Sequence, residues 1–149
     1  MKRNKTAYEA AIALLNRRAQ SEWEMRTKLR RKEYSKSEID EAVAKLYEYH
    51  YLNDEELAGD LFTYYRDERL YGDRYIHHKL KSRGLSADRH LTEEEEAEKA
   101  ALALQIKEKI IPGFSKNYRK AAAFLFRRGF APHTVSLVLQ GLDEEMDFE

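Results

Sequence analysis

Apolar positions recur along most of the chain at the three- and four-residue spacing of helices that bury one face. Ala7, Ala11, Leu14 and Leu15 form one such stripe. Leu57, Ala58, Leu61, Phe62 and Tyr65 form a second, and Ala97, Ala100, Ala101 and Leu104 a third. After each stripe comes a segment that repeats without gaps, at residues 22–34, 73–85 and 118–130. In every copy a leucine (Leu29, Leu80, Leu125) is followed five residues later by another apolar residue (Tyr34, Leu85, Phe130). Gly84 and Gly129 stand just before the latter in the second and third copies, where glycine can take the left-handed conformation that ends a helix. Glu33 holds that place in the first copy and is expected to end its helix less comfortably.

Another apolar face follows two of the copies. Ile39, Val43 and Leu46 lie five, nine and twelve residues after Tyr34, and Val135, Leu139 and Leu142 lie at the same intervals after Phe130. In the second copy Leu91 and Ala97 do not keep that register. Ser21, Ser35 and Thr92 each precede a glutamate by three residues, the spacing of a capping box. Pro132 suits a first helical turn, and the Pro112–Gly113 region is the clearest break. The pattern predicts an all-α fold of three tandem three-helix, helix-turn-helix-like units at residues 5–52, 53–91 and 92–142, with 143–149 a frayed acidic tail. One such unit is too small to bury its own apolar faces, so neighbours are expected to stack into an elongated, curved molecule.

Composition narrows the function. The 149 residues include no cysteine, which excludes disulfides, thiolate metal sites and cysteine nucleophiles. Mean hydropathy is −0.81 and no apolar run approaches the roughly 20 residues of a membrane span. No apolar stretch follows the basic N-terminus, so no secretory leader is expected, and a cytoplasmic setting fits. The formal net charge of zero conceals blocks. Residues 1–35 carry 10 Lys/Arg against 4 Asp/Glu, 36–69 carry 4 against 10, and 99–142 carry 8 against 1. A protein that simply coats DNA would be basic overall.

No constellation for catalysis emerges. His50, His77, His78, His90 and His133 form no H-E-x-x-H pattern, and there is no phosphate-cradling glycine loop or nucleophile elbow. The histidines read as surface or half-buried side chains. No metal, no cofactor and no enzymatic activity is expected. Binding has better support, because basic residues gather on the repeated middle helix. The candidate contacts for a partner or DNA are Arg26, Arg30, Arg31, Lys79, Lys81, Arg83, Arg127 and Arg128. For any one of them a solvated helix face is the plainer explanation. Tyr47, Tyr49, Tyr51, Tyr64 and Tyr65 suit packing more than base stacking, and Trp23 suits an anchor between helices.

Four stretches in order resemble the RecX family, bacterial regulators of the RecA recombinase. Ser21, Glu24, Met25, Arg26, Lys28 and Leu29 fit S-x-x-E-[LM]-R-x-K-L. Tyr51, Leu52, Asn53, Asp54, Leu57 and Ala58 fit Y-L-[DN]-D-x-x-[FL]-A. Gly72, Ile76, Lys79, Leu80, Arg83, Gly84 and Leu85 fit G-P-x-x-I-x-x-[EK]-L-x-x-[KR]-G-[IL], with Asp73 in place of the proline. Lys120, Phe124, Leu125, Arg127, Arg128, Gly129 and Phe130 fit K-x-x-x-F-L-x-[RY]-R-G-[FY]. The resemblance implies a non-enzymatic, monomeric regulator of homologous recombination, DNA repair and the SOS response. Such a protein lies in the groove of the RecA filament on single- or double-stranded DNA. There it limits filament growth, ATP hydrolysis, strand exchange and co-protease activity. The competing reading is a nucleic-acid-binding protein of tandem helix-turn-helix-like units.

Overall fold

The computed structural model describes residues 4–147, and helices are the regular elements among them. In chain order these are α1 (Ala7–Arg17), α2 (Glu22–Arg31), α3 (Lys36–Glu48), α4 (Asp54–Glu68), α5 (Asp73–Ser82), α6 (Glu93–Ile110), α7 (Tyr118–Arg127) and α8 (Pro132–Asp147), with a 3-10 turn at Phe114–Lys116. Two compact units result. The first holds residues 1–61 and 80–87, the second residues 62–79 and 88–149. The division passes through α4 and α5.

The repeated segment folds in register. α2, α5 and α7 are each ten residues long and each begins on the first residue of its copy. Met25, Ile76 and Ala121 are fully buried at the fourth position, and Leu29, Leu80 and Leu125 at the eighth. Tyr34, Leu85 and Phe130 then turn back into the interior. Burying each large apolar side chain contributes about 1.5–3 kcal/mol, so this spacing is the main source of helix stability. All three helices end alike. The N–H five residues after the leucine donates to that leucine's carbonyl, at 3.3 Å for Tyr34, 2.9 Å for Leu85 and 3.2 Å for Phe130. Closing this ring forces the intervening residue to positive φ: 67° at Glu33, 73° at Gly84 and 85° at Gly129.

Ser21, Ser35 and Thr92 make the expected capping boxes, with both reciprocal bonds present in each. In the first unit the core joins Ala7, Ala10 and Ala11 to Met25, Leu29 and Tyr34, and to Ile39, Val43 and Leu46. In the second, Ala100 and Leu104 meet Leu125, Phe130, Val135 and Leu139. Two features depart from the repeat pattern. Residues 53–91 hold two helices, α4 and α5, with no counterpart of α3 or α8. Only six residues separate Leu85 from the Thr92 cap of α6, too few for such a helix, and Leu91 is buried within this connection. At the other end α8 continues to Asp147, into the segment expected to fray as an acidic tail, while residues 148–149 lie outside those described.

The two glycines differ from Glu33 in more than φ. A Cβ on Gly84 would lie 2.5 Å from the Trp23 Cβ, and one on Gly129 would lie 2.4 Å from the Tyr75 nitrogen. Lys32 and Glu33 are exposed, so Glu33 meets backbone strain without this crowding. Gly84→Ala and Gly129→Ala are therefore expected to cost about 2–4 kcal/mol each, combining left-handed strain and overpacking. Glu33→Gly should be neutral or stabilise by about 0.5 kcal/mol, because relief of strain is offset by a looser unfolded chain. Urea unfolding of the three variants checks the contrast, and equal effects at all three sites would refute it.

Candidate interaction surface

The basic residues of the repeat divide into cations that hold the fold and cations that face solvent. Arg83 belongs to the first group. Its Nε donates to both Glu24 carboxylate oxygens, at 3.2 and 3.1 Å, and its Nη2 donates to Glu24 Oε1 at 2.9 Å and to the Ala19 carbonyl at 2.8 Å. The Arg83 carbonyl accepts from the Ser21 hydroxyl, beside the contact of Gly84 with Trp23. Thus an Arg–Gly pair at one helix end is clamped onto the start of α2. Trp23 is 52% exposed, so the expected anchor works through its Cβ end, which faces Gly84, rather than through full burial.

The second unit repeats this joint with different side chains. Arg128 Nη1 donates to the Leu70 carbonyl at 3.2 Å, and the Arg128 carbonyl accepts from the Gly72 N–H at 2.8 Å. A Cβ on Gly72 would stand 2.3 Å from the Gly129 carbonyl oxygen. Among the described residues, no carboxylate meets Arg128 in the role Glu24 plays for Arg83. Its guanidinium instead lies over Phe124, 4.9 Å from the ring centroid, and 5.9 Å from that of Tyr71, which stacks on Tyr75.

Arg26 is committed as well. It donates to Glu22 at 2.9 Å and to Asp40 at 2.6 Å. Glu22 in turn accepts from the Tyr47 hydroxyl, and its N–H donates to Asp54. The Tyr47 hydrogen bond, with Arg26 beside it, holds the Glu22 carboxyl below its ordinary value. Burial, reinforced by that carboxylate, pushes the Tyr47 phenol up. Lys79 is half-buried with its ammonium 5.5 Å from the Tyr75 ring centroid. The remaining candidates, Arg30, Arg31, Lys81 and Arg127, are exposed on the last turns of α2, α5 and α7. A helix C-terminus favours cations, so their placement also suits the helix dipole. Sequence reasoning could not separate the two groups, because an arginine bound to a carbonyl on a distant segment looks the same in sequence as a solvated one.

Exposed aromatic rings add to the surface of the first unit. Tyr49 and Tyr51 are 55% and 54% exposed, with ring centroids 6.2 Å apart, and Tyr8 follows at 6.4 Å from Tyr49. Lys45 lies over the Tyr8 ring. Among the described residues, no helix is long and apolar enough to cross a membrane.

Residues 7–46 match the family pattern described as the first three-helix domain of RecX. The chain is 33% identical over 132 residues to the regulatory protein RecX of Actinobacillus pleuropneumoniae, covering 85% of this chain and 86% of that one. It is 34% identical over 84 residues to the regulatory protein RecX of Bacillus velezensis, and spans only 32% of that longer protein. The fold is similar to the crystal structure of RecX from Lactobacillus salivarius, with a TM-score of 0.78 at 21% identity, covering 92% of this chain and 94% of that one.

The Glu24 clamp has a pH signature. Burial alone would raise the Glu24 carboxyl, but hydrogen bonds from Arg83 and the Ser21 N–H, with the charges of Arg83 and Arg18, bring it below its ordinary value of 4.5. A depressed folded value contributes stability that is fully present above the unfolded value and is lost as pH falls through the folded one. Arg83→Met should therefore cost about 2 kcal/mol near pH 7, the scale of charge-assisted hydrogen bonds. The gap from wild type should narrow once pH drops below about 4.5. Chemical denaturation at pH 7 and pH 3.5 measures both, and a gap that widens in acid would contradict the assignment.

Proposed function

The chain belongs to the RecX family of regulatory proteins, and from that premise we propose that it binds the RecA recombinase filament on DNA and restrains it. In this reading it acts in the cytoplasm as a monomer, without catalysis of its own. It limits filament growth, and with it ATP hydrolysis, strand exchange and co-protease activity. The observation that carries the reading is the recurrence of exposed cations at equivalent helix ends. Arg30 and Arg31 close α2, Lys81 sits in the last turn of α5, and Arg127 closes α7. A regular polymer repeats one surface at fixed intervals. Like contacts linked in one chain against such a polymer raise each other's effective concentration, so no single strong site is required. Acidic stretches between the basic ones fit a partner that presents protein surface beside DNA phosphate.

A second reading, direct binding of single-stranded nucleic acid, draws on Tyr49 and Tyr51 with Tyr8 and Lys45, since exposed rings can stack on bases. It predicts affinity for DNA without recombinase, falling steeply with salt. The two are separated by one series of measurements. Purified protein should slow ATP hydrolysis by RecA on single-stranded DNA and shorten the filaments seen by electron microscopy. Reversing charge at Arg30, Lys81 and Arg127 together should raise the protein needed for half-inhibition about 10- to 100-fold, at roughly 1 kcal/mol or less per exposed contact. Helicity should be unchanged. Full inhibition by the triple variant would remove these residues from the interface, and filaments unaffected by excess wild type would remove the reading itself.

A further inference from the structure

The start of α5 gathers a side-chain set that the sequence spacing conceals. Asp73, the first residue of α5, carries a half-buried carboxylate. Its Oδ1 accepts from the Leu91 N–H at 2.7 Å. Its Oδ2 accepts from His90 Nδ1 at 2.8 Å and lies 3.5 Å from His77 Nε2. His77 is one helical turn after Asp73, whereas His90 arrives on the connection before α6. The two imidazoles pack in a tilted arrangement, with centroids 4.6 Å apart and planes 31° apart. The three atoms, one carboxylate oxygen and two ring nitrogens, lie within 4.8 Å of one another. All three residues are in the second unit.

We propose that Asp73, His77 and His90 form a binding site for a divalent transition-metal ion of the zinc class. Two imidazoles and one carboxylate are the donors such ions prefer, whereas calcium and magnesium select all-oxygen sites. A tetrahedral ion with bonds of about 2.0–2.2 Å spaces its ligands about 3.3 Å apart, and the observed 2.8 and 3.5 Å from Asp73 Oδ2 lie on either side of that value. The two ring nitrogens, within 4.8 Å of each other, would draw together as the Asp73–His90 hydrogen bond opens into a shared ion.

Each ligating ring nitrogen must be free of its proton before an ion binds there. In the metal-free protein, His90 Nδ1 donates to Asp73, and His77 Nε2 donates to the Arg89 carbonyl at 2.9 Å. On binding, each proton moves to the other ring nitrogen, and the vacated nitrogen gives its lone pair to the ion. The Arg89 carbonyl, freed of its donor, stands beside the ion as a fourth ligand, or water takes that position. Opposing this is the Arg89 guanidinium. It lies over the Phe62 ring at 4.8 Å and donates to the Thr63 hydroxyl at 2.6 Å, contacts that spread its charge onto neighbouring groups. A bound ion would fasten the connection before α6 to the first turn of α5, and hence to α6, because the Asp73 N–H also donates to Glu96 at 3.1 Å.

The test is zinc alone added to the metal-stripped full chain. One ion per chain should bind, and at a hundredfold excess over its dissociation constant zinc should raise the melting temperature by about 5 °C or more. Cobalt(II) should give the intense visible bands of a low-symmetry tetrahedral site. His90→Ala removes a side chain that is 67% exposed, so it should fold normally while weakening zinc binding at least 10-fold. Asp73→Asn should do the same. His133→Ala, on α8 and outside the cluster, should bind as wild type does. Zinc affinity undiminished in His90→Ala, or wild type showing neither a melting shift nor cobalt bands at about 100 micromolar metal, far above the dissociation constants of structural zinc sites, overturns the proposal.

Discussion

Where a residue lacks its β-carbon, the backbone of another helix can come within hydrogen-bonding distance, and each unit is organised around one such approach. In the first, Gly84 admits the start of α2, and Arg83 locks it through Glu24 and the Ala19 carbonyl. In the second, Gly129 admits the start of α5, and Arg128 locks it through the Leu70 carbonyl. The donors and acceptors are otherwise unpaired groups at helix termini, which would be costly to bury alone. Satisfying them at the joint lets short ten-residue helices, marginal by themselves, persist. The apolar clusters then fill in on both sides.

Much of this was legible before any coordinates. The thirteen-residue repeat fixed where α2, α5 and α7 begin and end, because the leucine, the closing apolar residue and the left-handed position are all local requirements. Capping boxes were equally readable, since each needs only two residues three apart. Less legible was anything set by distant pairing. Gly84 and Gly129 look like ordinary helix stops, yet their second role, giving room to Trp23 and Tyr75, depends on residues about 60 positions away. Arg83 and Arg128 appeared equivalent to Arg30 and Arg127, although only the former two reach carbonyls across the joint. The Asp73, His77 and His90 cluster was hidden for the same reason, since His90 lies on a connection without periodicity.

Asp73 shows how a local departure from a family pattern can reorganise its surroundings. Proline at that place would suit a first helical turn but has no N–H to give. Asp73 donates that N–H to Glu96, whose other oxygen accepts from Thr134 on α8. Its carboxylate meanwhile collects Leu91 and His90. One substitution therefore ties the start of α5 to α6, to α8 and to the connection between α5 and α6. The exposed cations on the helix ends take no part in this network.

Because each joint rests largely on a missing methyl group and an arginine that reaches a main-chain carbonyl, it demands little of the remaining side chains. Of the thirteen aligned positions, only the eighth, a leucine, carries the same residue in all three copies. Drift elsewhere is cheap: the outward face of one copy can change sign or gain aromatic rings while the seam beneath it is preserved. A duplicated segment of this kind can thus diversify its recognition surface copy by copy, without renegotiating the architecture each time.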